Sequence, residues 1–318
     1  MVGNKICAML GIKYPIIQGG MAWASTPELV AAVSNAGGLG VIAAGGLNPE
    51  ELRRSIRRTR ELTDKPFAVN IVLWQVLMEG QMDVVVAEGL RIVMTGIGDP
   101  RPVLGPAKQH GLLVIPAVGS VRHARRVVAE GVDAVVAEGT EGGGHVGQVS
   151  TLCLVPQVVD TVDVPVVAAG GIGDARGFAA AFALGACGIM MGTRFLATPE
   201  CPIHPAYKER ILRATSDDTV IIGTATGSPA RCIKNIYTEE RLAKEHSGMP
   251  RDEMRLFGIG RLRMAAQEGE VDQGFIPAGQ VSGMIDGLKT CQEIIEGIMR
   301  NGQQILRRMG RLSEDIVV

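Results

Sequence analysis

The 318-residue chain has few aromatic residues, 3% of the total, and almost no net charge, a formal -1. So few aromatic faces leave little for nucleobases to stack on, and the balanced charge creates no global attraction to nucleic acid or acidic membranes. No run of about 18 uninterrupted apolar residues is present to cross a bilayer, and the opening MVGNKICAMLGIKYP lacks the small-residue cleavage site of a secretory signal. The cysteines, Cys7, Cys153, Cys187, Cys201, Cys232 and Cys291, form no C-x-x-C pair and sit singly in apolar or mixed contexts. That usage predicts reduced, mostly buried thiols, no metal site and a cytoplasmic protein. Cys153, inside LCLV, reads as packing rather than as a nucleophile.

Glycine is plentiful instead, at 42 residues, and 46% of the chain is hydrophobic, enough to bury a large core. One large domain with an appendage is expected. A proline beside a short β-branched run recurs in YPIIQGG from Tyr14, KPFAVNI from Lys65, VIPAV from Val114 and VPVVAAGG from Val164. Between these, Ala/Val-rich helices stop at a glycine and lead into short apolar runs, as in VVAEGVDAVVAEG from Val127 and AFALGACGIMMG from Ala181. The glycine suits a helix C-cap, and the run after it suits a strand buried on both faces. The pattern predicts eight strands: Ile16 to Gln18, Gly40 to Ala43, Phe67 to Ile71, Ile92 to Thr95, Leu113 to Pro116, Ala134 to Ala137, Val166 to Ala169 and Gly188 to Met191. Helices such as Pro49 to Leu62, Gln75 to Glu88, Val121 to Glu130 and Ala175 to Leu184 separate them.

Eight alternating units fit an α/β fold of the closed (β/α)8 TIM barrel type, although an open doubly wound sheet would share the pattern. The opening unit carries no G-x-G-x-x-G fingerprint. Glycine-rich turns follow the last two strands instead, AAGGIGDARG from Ala168 and MGTR from Met191, where barrels commonly hold phosphate. This favours the barrel and makes Gly170, Gly171, Gly192 and Thr193 candidate phosphate ligands.

The other strand ends should share that face: Gly19, Gly20 and Met21, then Asn70, Thr95 and Gly96, then Glu138 and the loop EGGGHVG with Gly142 to Gly144 and His145. Glycines there would let backbone lie against a flat ligand, and the histidine could exchange a proton beside it. Small residues and amides with few charges suit a planar heterocycle bearing a phosphate, a description that flavin mononucleotide (FMN) meets.

The stretches QGGMAW from Gln18, AGGLGVIAAG from Ala36, DKPFAVNI from Asp64, AEGTEGGGHVGQVSTLCLVPQVVD from Ala137, PVVAAGGIGDARGFAAAFALGACGIMMGTRFLAT from Pro165, HPAYKERI from His204 and PAGQVSGMID from Pro277 together resemble the flavin-dependent enoyl-[acyl-carrier-protein] reductase II family. That family lies within the wider nitronate monooxygenase, or 2-nitropropane dioxygenase-like, group. The resemblance implies that Gly20, Met21 and Ala22 line the flavin ring, that Asn70 bonds it and that Glu138 lies at its rim. It further implies that Gly144 belongs to the cofactor loop, that Gly170, Gly171, Gly192 and Thr193 hold the phosphate, that Gln280 closes the pocket and that His145 is the catalytic residue. Val146 after the histidine, and LVPQVVD beyond it, look more like the reductase branch than the monooxygenase branch, where arginine is frequent after the histidine. GIGDARG departs from the reductases at Gly173, as does VLWQVLMEG from Val72. The implied activity is NADH- or NADPH-dependent reduction of the C2=C3 bond of a trans-2-enoyl thioester; nitronate oxidation by O2 is the alternative, and a non-catalytic phospholigand-binding barrel a third reading.

Residues 215–273 interrupt the alternation and are expected to form a small, mainly helical second domain inserted after strand eight, with 1–214 and 274–318 forming the FMN-binding barrel. Basic residues there, among them Arg210, Arg213, Arg231, Arg241 and Arg263, would help steer an acidic acyl carrier protein, the implied partner. Met249, Met254, Leu256, Phe257, Ile259, Leu262 and Met264 would either cover an acyl chain or form a helix core. No nucleic-acid or membrane partner is expected, and the expected assembly is a homodimer.

Overall fold

The computed structural model describes residues 3–73, 80–96 and 98–315. Its central sheet is built from β1 (Ile16–Gln18), β2 (Gly40–Ala43), β3 (Phe67–Ile71), β4 (Ile92–Thr95), β5 (Leu113–Val118), β6 (Val135–Glu138), β8 (Val166–Ala169) and β9 (Gly188–Met191), all paired in parallel. The strand order runs β1-β9-β8-β6-β5-β4-β3-β2. A bridge between Ile17 and Leu39 joins the two ends, with Gln18 N–H donating to the Leu39 carbonyl at 2.9 Å, so the sheet closes as a (β/α)8 barrel.

The helices are α1 (Lys5–Leu10), α2 (Pro27–Asn35), α3 (Pro49–Leu62), α4 (Gln81–Ala87), α5 (Arg101–Gln109), α6 (Val121–Ala129), α7 (Thr151–Val159), α8 (Ala175–Ala183), α9 (Thr193–Leu196), α10 (Pro205–Arg213), α11 (Ile236–His246), α12 (Arg251–Gly258), α13 (Arg261–Arg263) and α14 (Cys291–Asp315). Local chemistry starts several of them. Asn48 and Glu51 form a reciprocal capping box ahead of Pro49 in α3, and the Ser120 and Asp174 side chains accept from the first turns of α6 and α8. The predicted start of a helix at Gln75, within VLWQVLMEG, lies outside the described residues; α4 is seen from Gln81.

Two apolar layers result. Ile17, Val41, Ala68, Met94, Ile115, Val136 and Val167 fill the barrel interior, with α1 contributing Ile6, Cys7 and Leu10 to the same cluster. Alternate residues of the same strands, such as Ile16, Ile42, Val69, Val93 and Val135, pack outward against the helices. The packed interior leaves only the rim of the barrel for a ligand. Cysteine usage departs from expectation at one place: Cys153 is exposed on α7, whereas Cys7, Cys201, Cys232 and Cys291 are buried and Cys187 half-buried. LCLV is one turn of a helix, so only part of it can face the core.

The segment after β9 carries helices α10 to α13 and also two strands that its helical composition did not reveal, β10 (Thr219–Ile222) and β11 (Ala230–Ile233). These pair antiparallel, and β11 also pairs with β7 (Gly144–His145), a two-residue strand of the glycine-rich loop. The apolar residues of α12 and its C-cap divide: Met254 is buried and Phe257 stacks on Tyr237 at 5.4 Å, but Leu256 and the capping Ile259 are exposed. Among the described residues, no helix is long and apolar enough to cross a membrane.

Close helix-on-strand packing sets one stability test. A Cβ on Gly40 would lie 2.1 Å from the Val30 carbonyl oxygen, so Gly40→Ala should force α2 off β2 and cost about 3 kcal/mol. A Cβ on Gly297, inside α14, meets nothing within 4 Å, so Gly297→Ala should stabilise by about 0.5–1 kcal/mol. Urea midpoints of the two variants check both signs.

Candidate active site at the barrel mouth

Gly20, Met21 and Ala22 follow β1, and their turn is held from beneath by a buried amide. Gln18 donates through Nε2 to Ser25 Oγ at 2.7 Å and accepts from Val41 N–H at 3.0 Å; Ser25 Oγ in turn accepts from Met21 N–H at 2.8 Å. Neither Gln18 nor Ser25 was singled out by motif. The signal was available, because an amide ending an otherwise apolar strand must find partners when buried. Trp23, in the same turn, is the one non-glycine described residue with positive φ, at 65°. Asn70 ends β3 so close by that a Cβ on Gly20 would lie 2.5 Å from Asn70 Cβ. The Asn70 side chain caps nothing among the described residues, and its amide is left for another partner. On β4, the Thr95 hydroxyl is buried and likewise has no partner among the described residues.

After β6, the chain turns through Glu138 and its glycines to His145. Burial pushes the Glu138 carboxyl up to about 7. His145 reaches solvent, yet the protein around its ring lowers its pKa by desolvation, which the Pro229 carbonyl partly opposes. The ring is therefore mostly neutral at pH 7. Its Nδ1 lies 3.3 Å from Ser228 Oγ, and its main chain pairs with Ala230, so the insertion orients the histidine.

The loop's glycines have two different jobs. A Cβ on Gly139 would collide with Thr151 Oγ1 at 2.1 Å, one on Gly143 with the Ala278 and Gly279 backbone at 2.7 Å, and one on Gly147 with the Gly119 carbonyl oxygen at 2.8 Å. These three permit protein to pack on protein. Gly144, at φ 82° with nothing within 4 Å of its missing Cβ, remains open.

The turns after β8 and β9 lie side by side, as the parallel pairing of those strands requires. Gly170 and Gly171 adopt φ of 90° and 68°; the β8–β9 register turns the Gly170 N–H toward the Met190 carbonyl, whereas the Gly171 N–H donates to no acceptor among the described residues. Thr193 is less free, since its Oγ1 accepts from Gly279 N–H at 3.0 Å. Gln280 arrives with the returning chain, its N–H donating to the Glu141 carbonyl at 3.0 Å. The structure thus gathers Gly20, Met21, Ala22, Asn70, Glu138, Gly144, His145, Gly170, Gly171, Gly192, Thr193 and Gln280 around one end of the barrel.

A sequence model of the nitronate monooxygenase family matches residues 4–79 and 75–301. A solved structure of FabK from Thermotoga maritima superposes with a TM-score of 0.94 at 42% identity, covering 98% of this chain and 100% of that one. A Rhodococcus jostii (3aS,4S,5R,7aS)-5-hydroxy-7a-methyl-1-oxo-octahydro-1H-indene-4-carboxyl-CoA dehydrogenase is 35% identical, with 97% of this chain and 98% of the relative covered. A probable nitronate monooxygenase of Staphylococcus saprophyticus is 32% identical, with 96% and 99% covered.

Glu138 supplies a pH test. Its folded pKa is raised, so the folded chain holds a proton that the unfolded chain has released between about pH 4.5 and 7, and stability from this group falls as pH rises across that window. Glu138→Gln should remove this dependence: the melting temperature of the variant minus that of the wild type should grow from pH 5 to pH 7.5. A constant difference would contradict the burial assigned to this carboxyl.

Proposed function

The chain belongs to the nitronate monooxygenase family and is an oxidoreductase of that group; on this premise we propose that it reduces the C2=C3 double bond of a trans-2-enoyl thioester, with FMN as bound cofactor and NADH or NADPH as reductant. One observation carries the reading: His145 stands at the mouth followed by the buried aliphatic Val146, the pattern that resembles the enoyl-[acyl-carrier-protein] reductase II family, in a chain that superposes on FabK from Thermotoga maritima with a TM-score of 0.94. The Rhodococcus relative's name also specifies an acyl-CoA thioester.

The residues present fit the cofactor. The Gly171 N–H, without an acceptor among the described residues, suits a phosphate, while the Asn70 amide and the Thr95 hydroxyl, which has no partner among the described residues, suit the edge of a polar ring. Bound there, FMN would supply hydride from the nicotinamide to the thioester's β-carbon. As that hydride arrives, negative charge develops on the α-carbon and thioester oxygen; the neutral His145 ring can hydrogen-bond the oxygen through its N–H, and its protonated form can give a proton to the α-carbon and return to the neutral ring, contributing about 10²- to 10⁴-fold. Ser228 and the β7–β11 pairing hold the ring for that transfer. Gly20, Met21, Ala22 and Gly144 would line the ring, with Glu138 at its rim and Gln280 and Thr193 closing the phosphate end. A carrier protein of fatty acid synthesis is the proposed bearer of the thioester.

The family model and the staphylococcal relative favour a second reading, in which His145 removes an α-proton and a nitronate is oxidised by O2. Anaerobic titration separates the two. Visible flavin absorbance of the purified protein should bleach with NADH or NADPH and return on adding crotonyl thioester. His145→Ala should retain the flavin and lower kcat by 10² or more, within the roughly 10²–10⁴ of a general acid. Oxygen uptake with an alkyl nitronate and no response to either nicotinamide would overturn the reductase reading.

A further inference from the structure

A cavity of about 330 Å³ lies beside the mouth, lined by Gly98, Ser120, Arg122, His123 and Arg126. Gly98 follows β4 and Ser120 follows β5, so the cavity opens at the same end of the barrel as the candidate active site. The two are in contact: the Gly119 carbonyl, next to Ser120, touches Gly147, and Gly147 is two residues, at most about 7 Å of chain, from His145. A thioester lying over His145 therefore has the head of α6 as an immediate neighbour on its way out.

The cavity wall carries the guanidinium groups of Arg122 and Arg126. Arg126 donates to the Gly98 carbonyl at 3.3 Å and His123 Nε2 lies 2.7 Å from the same oxygen; Asp99 acts on both through space, but Arg122, Arg125 and Arg126 form no salt bridge among the described residues. The acids within reach are already engaged, since Asp99 pairs with Arg101 and Glu130 lies 3.8 Å from the same guanidinium. The flanking helices α5 and α7 contain no acidic residue. Several basic residues in and just before the insertion are paired: Arg241 with Glu245 at 3.1 Å, Arg263 with Glu268 at 3.0 Å, Arg210 with Asp272 at 3.8 Å and Arg213 with Glu209. Arg231, which has no salt bridge among the described residues, is instead buried and donates to the Thr140 carbonyl and Thr219 Oγ1. Exposed positive charge without a salt bridge near the mouth is therefore found on α6, where Arg122, Arg125 and Arg126 carry it onto the outer surface.

We propose that Arg122 and Arg126 bind the phosphate at the far end of the substrate's pantetheine arm, making α6 the site where the phosphorylated carrier docks. A carrier too large to enter the mouth must stay outside while its arm reaches in, and an exposed cationic helix bordering a cavity meets both needs. This rests on the enoyl thioester reading and specifies the carrier end of the same substrate.

The test uses the flavin-loaded protein with the crotonyl thioesters of pantetheine, 4′-phosphopantetheine and coenzyme A, comparing wild type, R122A/R126A and the charge-keeping R122K/R126K. The preference for phosphopantetheine over pantetheine, as a ratio of kcat/KM values, should fall about tenfold in R122A/R126A and be largely restored in R122K/R126K. A fall seen with coenzyme A but not with phosphopantetheine would overturn the proposal, because the ligand would then be the nucleotide phosphates of coenzyme A and not the phosphate of the pantetheine arm. Equal losses on all three thioesters, no loss on any, or a change confined to the KM for the nicotinamide would overturn the proposal. Calorimetric titration with coenzyme A separates this from the fate of the reductase reading: if the wild type binds it and R122A/R126A does not, while no enoyl thioester is turned over, the phosphate site stands and the reductase reading falls.

Discussion

Thr151 and Glu141 tie the mouth of this barrel together. The Glu141 carboxylate accepts from Thr151 N–H at 2.9 and 3.0 Å and from its hydroxyl at 3.0 Å, while the hydroxyl also lies 3.0 Å from the Gly170 carbonyl oxygen. The Glu141 main-chain carbonyl accepts from Gln280. One pair of side chains thus joins the loop after β6, the first turn of α7, the turn after β8 and the returning chain. An ionised acceptor at a helix N-terminus is well placed for strong bonds, because the first-turn N–H groups have no partner within the helix.

That junction explains why glycine is so frequent nearby. Four segments converge on a space that side chains would fill, so Gly139, Gly143, Gly147 and Gly170 mark places where backbone meets backbone or a bonded hydroxyl. The open positions are fewer, and they are the ones that matter for a ligand: Gly144 beside His145, and the N–H group at Gly171. Close packing of the loops leaves these polar groups fixed in direction before any ligand arrives, which lowers the ordering cost of binding.

The electrostatics follow from the same burial. Desolvation raises the Glu138 pKa to about 7 and lowers that of His145, so near pH 7 the carboxyl is about half protonated and the imidazole mostly neutral. Arg122, Arg125 and Arg126 of α6 stand just outside the mouth without a salt bridge among the described residues. A weakly charged mouth next to a cationic threshold suits a substrate with an uncharged reacting end and an anionic handle.

Much of the barrel could be read from the sequence because its determinants are local. Buried parallel strands need apolar runs, their helices need glycine or polar caps, and the two phosphate-type turns fall at a fixed place in the eightfold alternation. His145 and the glycine turns were legible for that reason. The β7–β11 pairing was not, since two residues of a glycine-rich loop carry no strand signal and the register depends on a segment more than 80 residues away. Nor were the Glu141–Thr151 junction and the free charge on α6, because whether an arginine is paired depends on which acids the fold brings near. The sequence by itself determined the eight units and the chemistry available at their ends; only the tertiary structure decided which of those groups are spent on each other and which remain for a ligand, because burial and partnership belong to the closed barrel and not to any one stretch of chain.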